Sequence, residues 1–152
     1  MLGNGGFKIN CKIVYATKTG HSRKIAQAIA DKIDVVAYDI ANQDCEPVNA
    51  DLIIICSGIY GGVIAEPMKC WLENVDAAQI GNALIIMSSV THNYERSEIK
   101  KILTEKGIHI IGEKSVQGSF LFMKFGHPKK DEIKAAVDYA EKIYNELIIQ
   151  GV

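Results

Sequence analysis

Uninterrupted apolar runs and helical periodicity alternate along the chain. Residues 52–56 and 83–87 are continuously apolar, which predicts central strands covered on both faces rather than strands with one face in water. Further strands are predicted over residues 7–16, 34–40 and 108–116. Between the strands, apolar residues recur at helical spacing, as Ile25 and Ile29 do. This spacing predicts helices over residues 22–32, 67–74, 97–106 and 128–149.

The alternation of strands and helices predicts an α/β fold. Parallel strands need crossover helices, so five successive β–α units indicate a doubly wound, five-stranded parallel sheet with helices on both faces. Ligands of such sheets bind beyond the carboxyl ends of the strands, where the winding direction reverses. Chemistry is therefore expected in the loops after the first, third and fourth strands, which are residues 17–22, 57–65 and 89–96.

Length and composition favour one globular domain. The 152 residues suit a single domain, which we expect over residues 7–152 after a loose leader, residues 1–6. A net charge of −1 gives no basic field to attract nucleic acid. No apolar run approaches the ~20 residues that a membrane span needs. These features predict a soluble cytoplasmic protein without a membrane span, and we expect a monomer or a weak dimer.

Cysteine and histidine spacing indicates no metal site. The four cysteines form no CxxC pair, and the four histidines show neither HxxxH nor HExxH spacing. Cys11 and Cys56 lie within apolar strands and are interpreted as small buried hydrophobic residues.

The loop after the first strand has the composition of an anion site. Three hydroxyl side chains and one glycine lead directly into a helix, in the order Thr17, Lys18, Thr19, Gly20, His21 and Ser22. The first N–H groups of a helix lack intrahelical acceptors, and the helix dipole adds positive potential there. We therefore predict a site for a phosphate monoester. The alternative is an ordinary helix N-cap at Ser22.

Other phosphate-binding loops do not match this segment. The residues that follow Gly20 do not form the GK[ST] ending of a nucleoside triphosphate loop. A dinucleotide fingerprint needs three glycines, and Asp39, at a suitable distance for a ribose contact, is interpreted as a solvated strand end. The first and third strands end without the acidic residues of a phosphoacceptor, and no cysteine heads the loop.

The other two loops suit a flat ring system. The second is uncharged, rich in glycine and carries one aromatic residue, in the order Ser57, Gly58, Ile59, Tyr60, Gly61 and Gly62. The third carries a second candidate for stacking and begins Ser89, Val90, Thr91, His92, Asn93, Tyr94. The alternative is that both tyrosines are ordinary surface residues and that His92 and Asn93 are plain loop residues.

The three loops together resemble those of flavodoxins. The pattern of Thr17, Thr19, Gly20 and Ser22 resembles the family's phosphate loop, and residues 57–61 resemble its inner flavin-contact loop. This resemblance implies a flavodoxin-like sheet of strand order 2-1-3-4-5 with FMN as cofactor. It further implies that residues 17–22 hold the phosphate, that Tyr60 and Tyr94 stack on the isoalloxazine, and that residues 57–62 and 89–93 meet its polar edge.

The resemblance implies electron transfer between redox partner proteins, a reductase and an acceptor enzyme. No catalytic side chain is needed, because the cofactor carries the chemistry. One alternative is an FMN-dependent reductase or oxidase that acts directly on a quinone or a tetrapyrrole-type molecule, with His92 as the best candidate acid. Another is a binding protein that has kept the fold and lost the flavin.

Overall fold

The computed structural model describes residues 9–16, 20–41, 49–60, 63–89, 98–117 and 130–150. Its strands are β1 (Cys11–Ala16), β2 (Ala37–Asp39), β3 (Ala50–Tyr60), β4 (Val63–Ile64), β5 (Ile80–Ser89) and β6 (His109–Gln117). Its helices are α1 (His21–Ile33), α2 (Glu66–Asn74), α3 (Glu98–Glu105) and α4 (Lys130–Gln150), and a short 3-10 turn covers Ala77–Gln79. The predicted leader lies outside the described residues.

Five strands form one parallel sheet in the order β2-β1-β3-β5-β6. When the parallel strands alone are numbered, this is the predicted order 2-1-3-4-5, and the predicted fold class is confirmed. The short β4 pairs antiparallel with the end of β3, where Tyr60 lies opposite Val63. This sixth strand was not predicted from the sequence.

The continuously apolar strands are covered on both faces, as predicted. Along β3, Leu52, Ile54 and Cys56 belong to one buried cluster with residues of α1 and α4. The intervening Ile53 and Ile55 belong to a second cluster with residues of α2 and α3. Because successive strand residues point to opposite faces, one apolar run supplies both cores.

The last helix covers one edge of the first of these cores. Ala136 and Ala140 of α4 are fully buried in the cluster that also contains Ile25 and Ile29 of α1. Although α4 has 21 residues, neither it nor any other helix in the described ranges combines the length and apolarity of a membrane span.

The third strand is longer than predicted. Residues 57–60, predicted as loop, continue β3, and Gly58 and Ile59 pair in parallel with Ser88 and Ser89 of β5. The predicted boundary at Ser57 was therefore wrong. Glycine has a low propensity for strands, but pairing with the backbone of β5 and β4 determines the conformation here.

Two thiols lie in the strands as the sequence predicts. Cys11 is 7% exposed and Cys56 is 1% exposed, and both are free. Burial raises the pKa of Cys11 from 9.0 to about 12, and it raises the pKa of Cys56 as well. Both side chains therefore stay protonated in the folded protein well above neutral pH.

We expect these thiols to make the fold sensitive to alkali. A raised folded-state pKa contributes stability that is present below the unfolded-state pKa, near 9, and is lost as the pH rises toward 12. At pH 10, each thiol should reduce the free energy of unfolding by about 1 kcal/mol relative to pH 8. Urea unfolding at the two pH values measures this. The C11A/C56A variant should lose less stability between them than the wild type, and the exposed Cys70→Ala control should not differ from the wild type. Equal losses in all three proteins would show that the buried thiols are not responsible.

Candidate functional site

The winding direction of the sheet reverses between β1 and β3. The chain passes from β1 to β2 on one side of β1 and then returns to form β3 on its other side. At the carboxyl edge, β1 ends with Ala16 opposite Ser57 of β3, and β3 continues three residues further. Four residues separate the end of β1 from the start of α1. Ligands of doubly wound sheets bind at this crevice.

The amino end of α1 is open to an anion. Gly20 is the N-cap residue, with φ of 87° and no side chain of its own to cap the first turn, and that turn contains no acidic residue. The N–H of Lys24 donates to the carbonyl oxygen of Gly20 at 3.1 Å. The N–H groups of His21, Ser22 and Arg23 come before this first helical bond and have no acceptor within the helix. The helix begins at His21, so the alternative interpretation of Ser22 as an N-cap is wrong.

Ser22 carries a buried hydroxyl without a partner among the described residues. The residue is 1% exposed, and its Oγ has no hydrogen bond within this part of the chain. Such a group costs about 1–3 kcal/mol unless something accepts its hydrogen bond. An anion at the amino end of α1 would supply that acceptor, so the residues present fit a phosphate group.

We expect the backbone at Gly20 to require glycine. Its φ lies in the left-handed region, and the space that a Cβ would occupy is open, so a side chain would meet backbone strain and no clash. Gly107 after α3 shares these properties, with φ of 78°. Both Gly20→Ala and Gly107→Ala should lose about 1 kcal/mol in urea unfolding. Only Gly20→Ala should also weaken FMN binding in a fluorescence titration. Equal FMN affinity in the two variants would show that Gly20 is not part of the FMN site.

The end of β3 presents buried, uncharged groups beside this site. Ser57 is fully buried, and its Oγ donates to the carbonyl oxygen of Gly58 at 3.3 Å. Gly58 is buried as well. The hydroxyl of Ser57 is thus already used within the protein, which leaves this strand end a neutral surface.

The end of β2 differs from its prediction. Asp39 is 7% exposed rather than solvated, and its Oδ1 accepts the N–H of Ala41 at 3.0 Å. The carboxylate stabilises the turn after β2, in the manner typical of aspartate in turns.

Two groups near this edge are neither a nucleophile nor a free charge. Burial raises the pKa of Cys56, which keeps it a thiol rather than a nucleophilic thiolate. Lys69 of α2 pairs with Glu98 of α3 at 3.5 Å, so each offsets the charge of the other.

The structure brings part of the predicted site together. Gly20, His21 and Ser22 lie at the start of α1, and Ser57 and Gly58 lie at the end of β3. Ile59 and Tyr60 lie at the end of β3 and Ser89 lies at the end of β5, and for these three residues the structure describes the backbone. The remaining predicted residues lie outside the described part of the chain: Thr17, Lys18, Thr19, Gly61, Gly62, Val90, Thr91, Asn93 and Tyr94. His92 also lies outside it. Among the described residues, no group of three or more His, Cys, Asp or Glu could hold a metal ion.

Solved structures share this fold. An archaeal flavodoxin matches with a TM-score of 0.69 at 14% identity, over 91% of this chain and 99% of that one. A flavodoxin from Fusobacterium nucleatum bound to flavin mononucleotide matches with a TM-score of 0.65 at 17% identity, over 91% and 98%. Rubredoxin oxygen:oxidoreductase from Desulfovibrio gigas has a TM-score of 0.70 at 15% identity, over 91% of this chain and 36% of that longer one. No curated protein matches this sequence significantly.

The strand order defines a doubly wound α/β protein in which the amino end of α1 lies at the switch point of the sheet. The flavodoxin domain model matches residues 12–142, so the chain belongs to the flavodoxin family. The resemblance stated from the three loops is thereby confirmed, and the cofactor that this membership supports is FMN.

Proposed function

We propose that this protein binds FMN at the carboxyl edge of its sheet and transfers electrons between redox partner proteins. The observation that carries the proposal is the buried hydroxyl of Ser22, which lacks a partner among the described residues and lies in the first turn of α1. Family membership supports the cofactor, and the site's position at the switch point supports its placement.

In this proposal, the start of α1 and the loop before it hold the phosphate. The Oγ of Ser22 donates to a phosphate oxygen, and backbone N–H groups of the first helical turn add positive potential. Gly20 gives the backbone the left-handed conformation that the turn into α1 needs. The full phosphate set is Thr17, Lys18, Thr19, Gly20, His21 and Ser22.

The strand ends hold the ring in the same proposal. The neutral, buried end of β3 excludes water from one side of the crevice, and β5 ends beside it at Ser89. The ring set is Ser57, Gly58, Ile59, Tyr60, Gly61, Gly62, Ser89, Val90, Thr91, Asn93 and Tyr94, with the two tyrosines as stacking residues. Bound FMN supplies the redox chemistry, since its ring exchanges one or two electrons.

Transfer between proteins accounts for the side chains better than direct turnover of a substrate. A stand-alone oxidoreductase needs groups that position a substrate and move its protons. Among the described residues of the edge, the thiol of Cys56 is buried, the hydroxyl of Ser57 is bonded internally and Lys69 pairs with Glu98. We therefore propose a reductase and an acceptor enzyme as partners. We also propose a cytoplasmic location, which the free thiols Cys11, Cys56 and Cys70 support.

Absorbance and turnover measurements test the proposal. Purified protein titrated with FMN should develop a bound-flavin spectrum, with saturable quenching of flavin fluorescence. With NADPH and cytochrome c, the loaded protein alone should be inactive, and adding a flavodoxin reductase should start electron transfer.

The contrary outcomes are distinct. Steady oxidation of NAD(P)H or reduction of a quinone by the protein alone would show that it is an FMN-dependent oxidoreductase and not an electron carrier. Absence of FMN binding would exclude both the electron carrier and the oxidoreductase, and would favour a binding protein that has lost the flavin.

A further inference from the structure

The first turn of α1 carries two exposed positive charges. Arg23 and Lys24 are both exposed, and the turn contains no acidic residue. Within the described part of the chain, neither side chain forms an ion pair, whereas Lys69, Lys100 and Lys134 each pair with a carboxylate. Neither Arg23 nor Lys24 belongs to the site predicted from the sequence.

This placement is unfavourable for the helix itself. The amino end of a helix carries partial positive charge, so cations there are repelled and acidic residues are preferred. Lys32 shows the favourable arrangement, because it lies in the last turn of the same helix. The two ends of α1 therefore differ. Lys32 interacts favourably with the helix dipole at the carboxyl end, whereas Arg23 and Lys24 interact unfavourably with it at the amino end.

Ser22 supplies an independent indication of an anion site. Its hydroxyl is buried, lacks a partner among the described residues and is adjacent in sequence to Arg23. Long side chains of a helix lean toward its amino end, so those of Arg23 and Lys24 extend toward the end at which Ser22 lies. An anion at this end would bond to the hydroxyl and offset both charges.

We infer that Arg23 and Lys24 are specificity-determining residues that attract the dianionic phosphate of FMN and favour FMN over riboflavin. The inference rests on the proposed function. The two cations act through their field rather than by contact with the ring, and a phosphate monoester carries close to two negative charges near neutral pH. Salt screens such exposed charges, so their contribution depends on ionic strength.

The test uses the double variant R23Q/K24Q with FMN and riboflavin as probes. At about 20 mM salt, FMN affinity should fall about five- to tenfold, and at about 500 mM salt the loss should shrink to less than about twofold. Riboflavin affinity should stay unchanged. In the absence of flavin, the urea midpoint of the variant should rise, because repulsion at the helix end is relieved.

Lys32→Gln is the matched control, since it removes one cation from the opposite end of the same helix. It should lower the urea midpoint slightly and leave FMN affinity unchanged. If wild type binds FMN and R23Q/K24Q binds it equally well at low salt, the inference fails while the proposed function stands. An equal loss for riboflavin would also overturn it, because the effect would then not involve the phosphate. If wild type does not bind FMN, the proposed function itself fails.

Discussion

Ser22→Ala is expected to stabilise the cofactor-free protein and to weaken its binding of FMN. Without a ligand, the hydroxyl of Ser22 is a buried donor that lacks an acceptor among the described residues, so its removal should raise the free energy of unfolding by about 1 kcal/mol. With FMN, the same removal deletes a charge-assisted hydrogen bond. FMN affinity should therefore fall by about 10- to 100-fold, which corresponds to about 1.4–2.7 kcal/mol.

Urea unfolding without flavin measures the expected gain in stability, and titrations with FMN and riboflavin measure the expected loss of affinity. Ser57→Ala is the control for stability: its hydroxyl already donates to Gly58, so its removal should lower the free energy of unfolding by about 1 kcal/mol. Riboflavin is the control ligand, because it lacks the phosphate, and Ser22→Ala should bind it as wild type does. A Ser22→Ala protein that is destabilised and binds FMN normally would show that the hydroxyl serves the fold instead.

Ile54→Ala is expected to cause the largest loss of stability among these substitutions. Ile54 is fully buried near the middle of β3, between Ile13 of β1 and Leu84 of β5. Sheet neighbours on both sides and helices over the face prevent the site from collapsing around a smaller side chain. The expected loss is about 3–4 kcal/mol, a large part of the total stability of a typical domain.

A graded series gives this prediction its control. Ile54→Val should lose only about 1 kcal/mol, because one methylene group is removed. Ile149→Ala should lose less than about 0.5 kcal/mol, since Ile149 is 83% exposed at the end of α4. Urea unfolding at constant pH measures all three. A loss below about 1.5 kcal/mol for Ile54→Ala would mean that the two-sided packing of β3 is looser than described.

The sheet could be predicted because its central strands carry an unambiguous signal. Leu52 to Cys56 are apolar without a break, and such a run, five residues long and rich in isoleucine, is typical of a strand buried on both faces. Helical spacing at Ile25 and Ile29 predicted α1 to within one residue at each end. Local pattern and global fold agree in these elements.

The strand ends and turns could not be predicted in the same way. Ser57 and Gly58 interrupt the apolar run of β3. The strand conformation of residues 57–60 depends on pairing with β5 and with the two-residue β4, both of which follow later in the chain. Asp39 has the polarity of a solvated residue, yet its carboxylate is buried by the turn that it stabilises. Such outcomes depend on tertiary contacts that short-range periodicity does not contain.

The proposed anion site could be predicted in part. The hydroxyl groups and Gly20 could be recognised from the sequence, but the burial of Ser22 and the lack of an acceptor among the described residues could not. Ser22 is the second residue of α1 rather than its N-cap, and its hydroxyl is buried there without a partner in the described part of the chain. Within the described ranges Arg23 and Lys24 form no ion pair, which is likewise apparent only from the structure.

A crystal structure determined with excess FMN tests the central claim most directly. We expect a phosphate group at the amino end of α1, with one oxygen within about 3 Å of the Ser22 Oγ, and the ring beside the end of β3. A phosphate bound elsewhere, or a first turn of α1 without bound anion at saturating FMN, would contradict the claim.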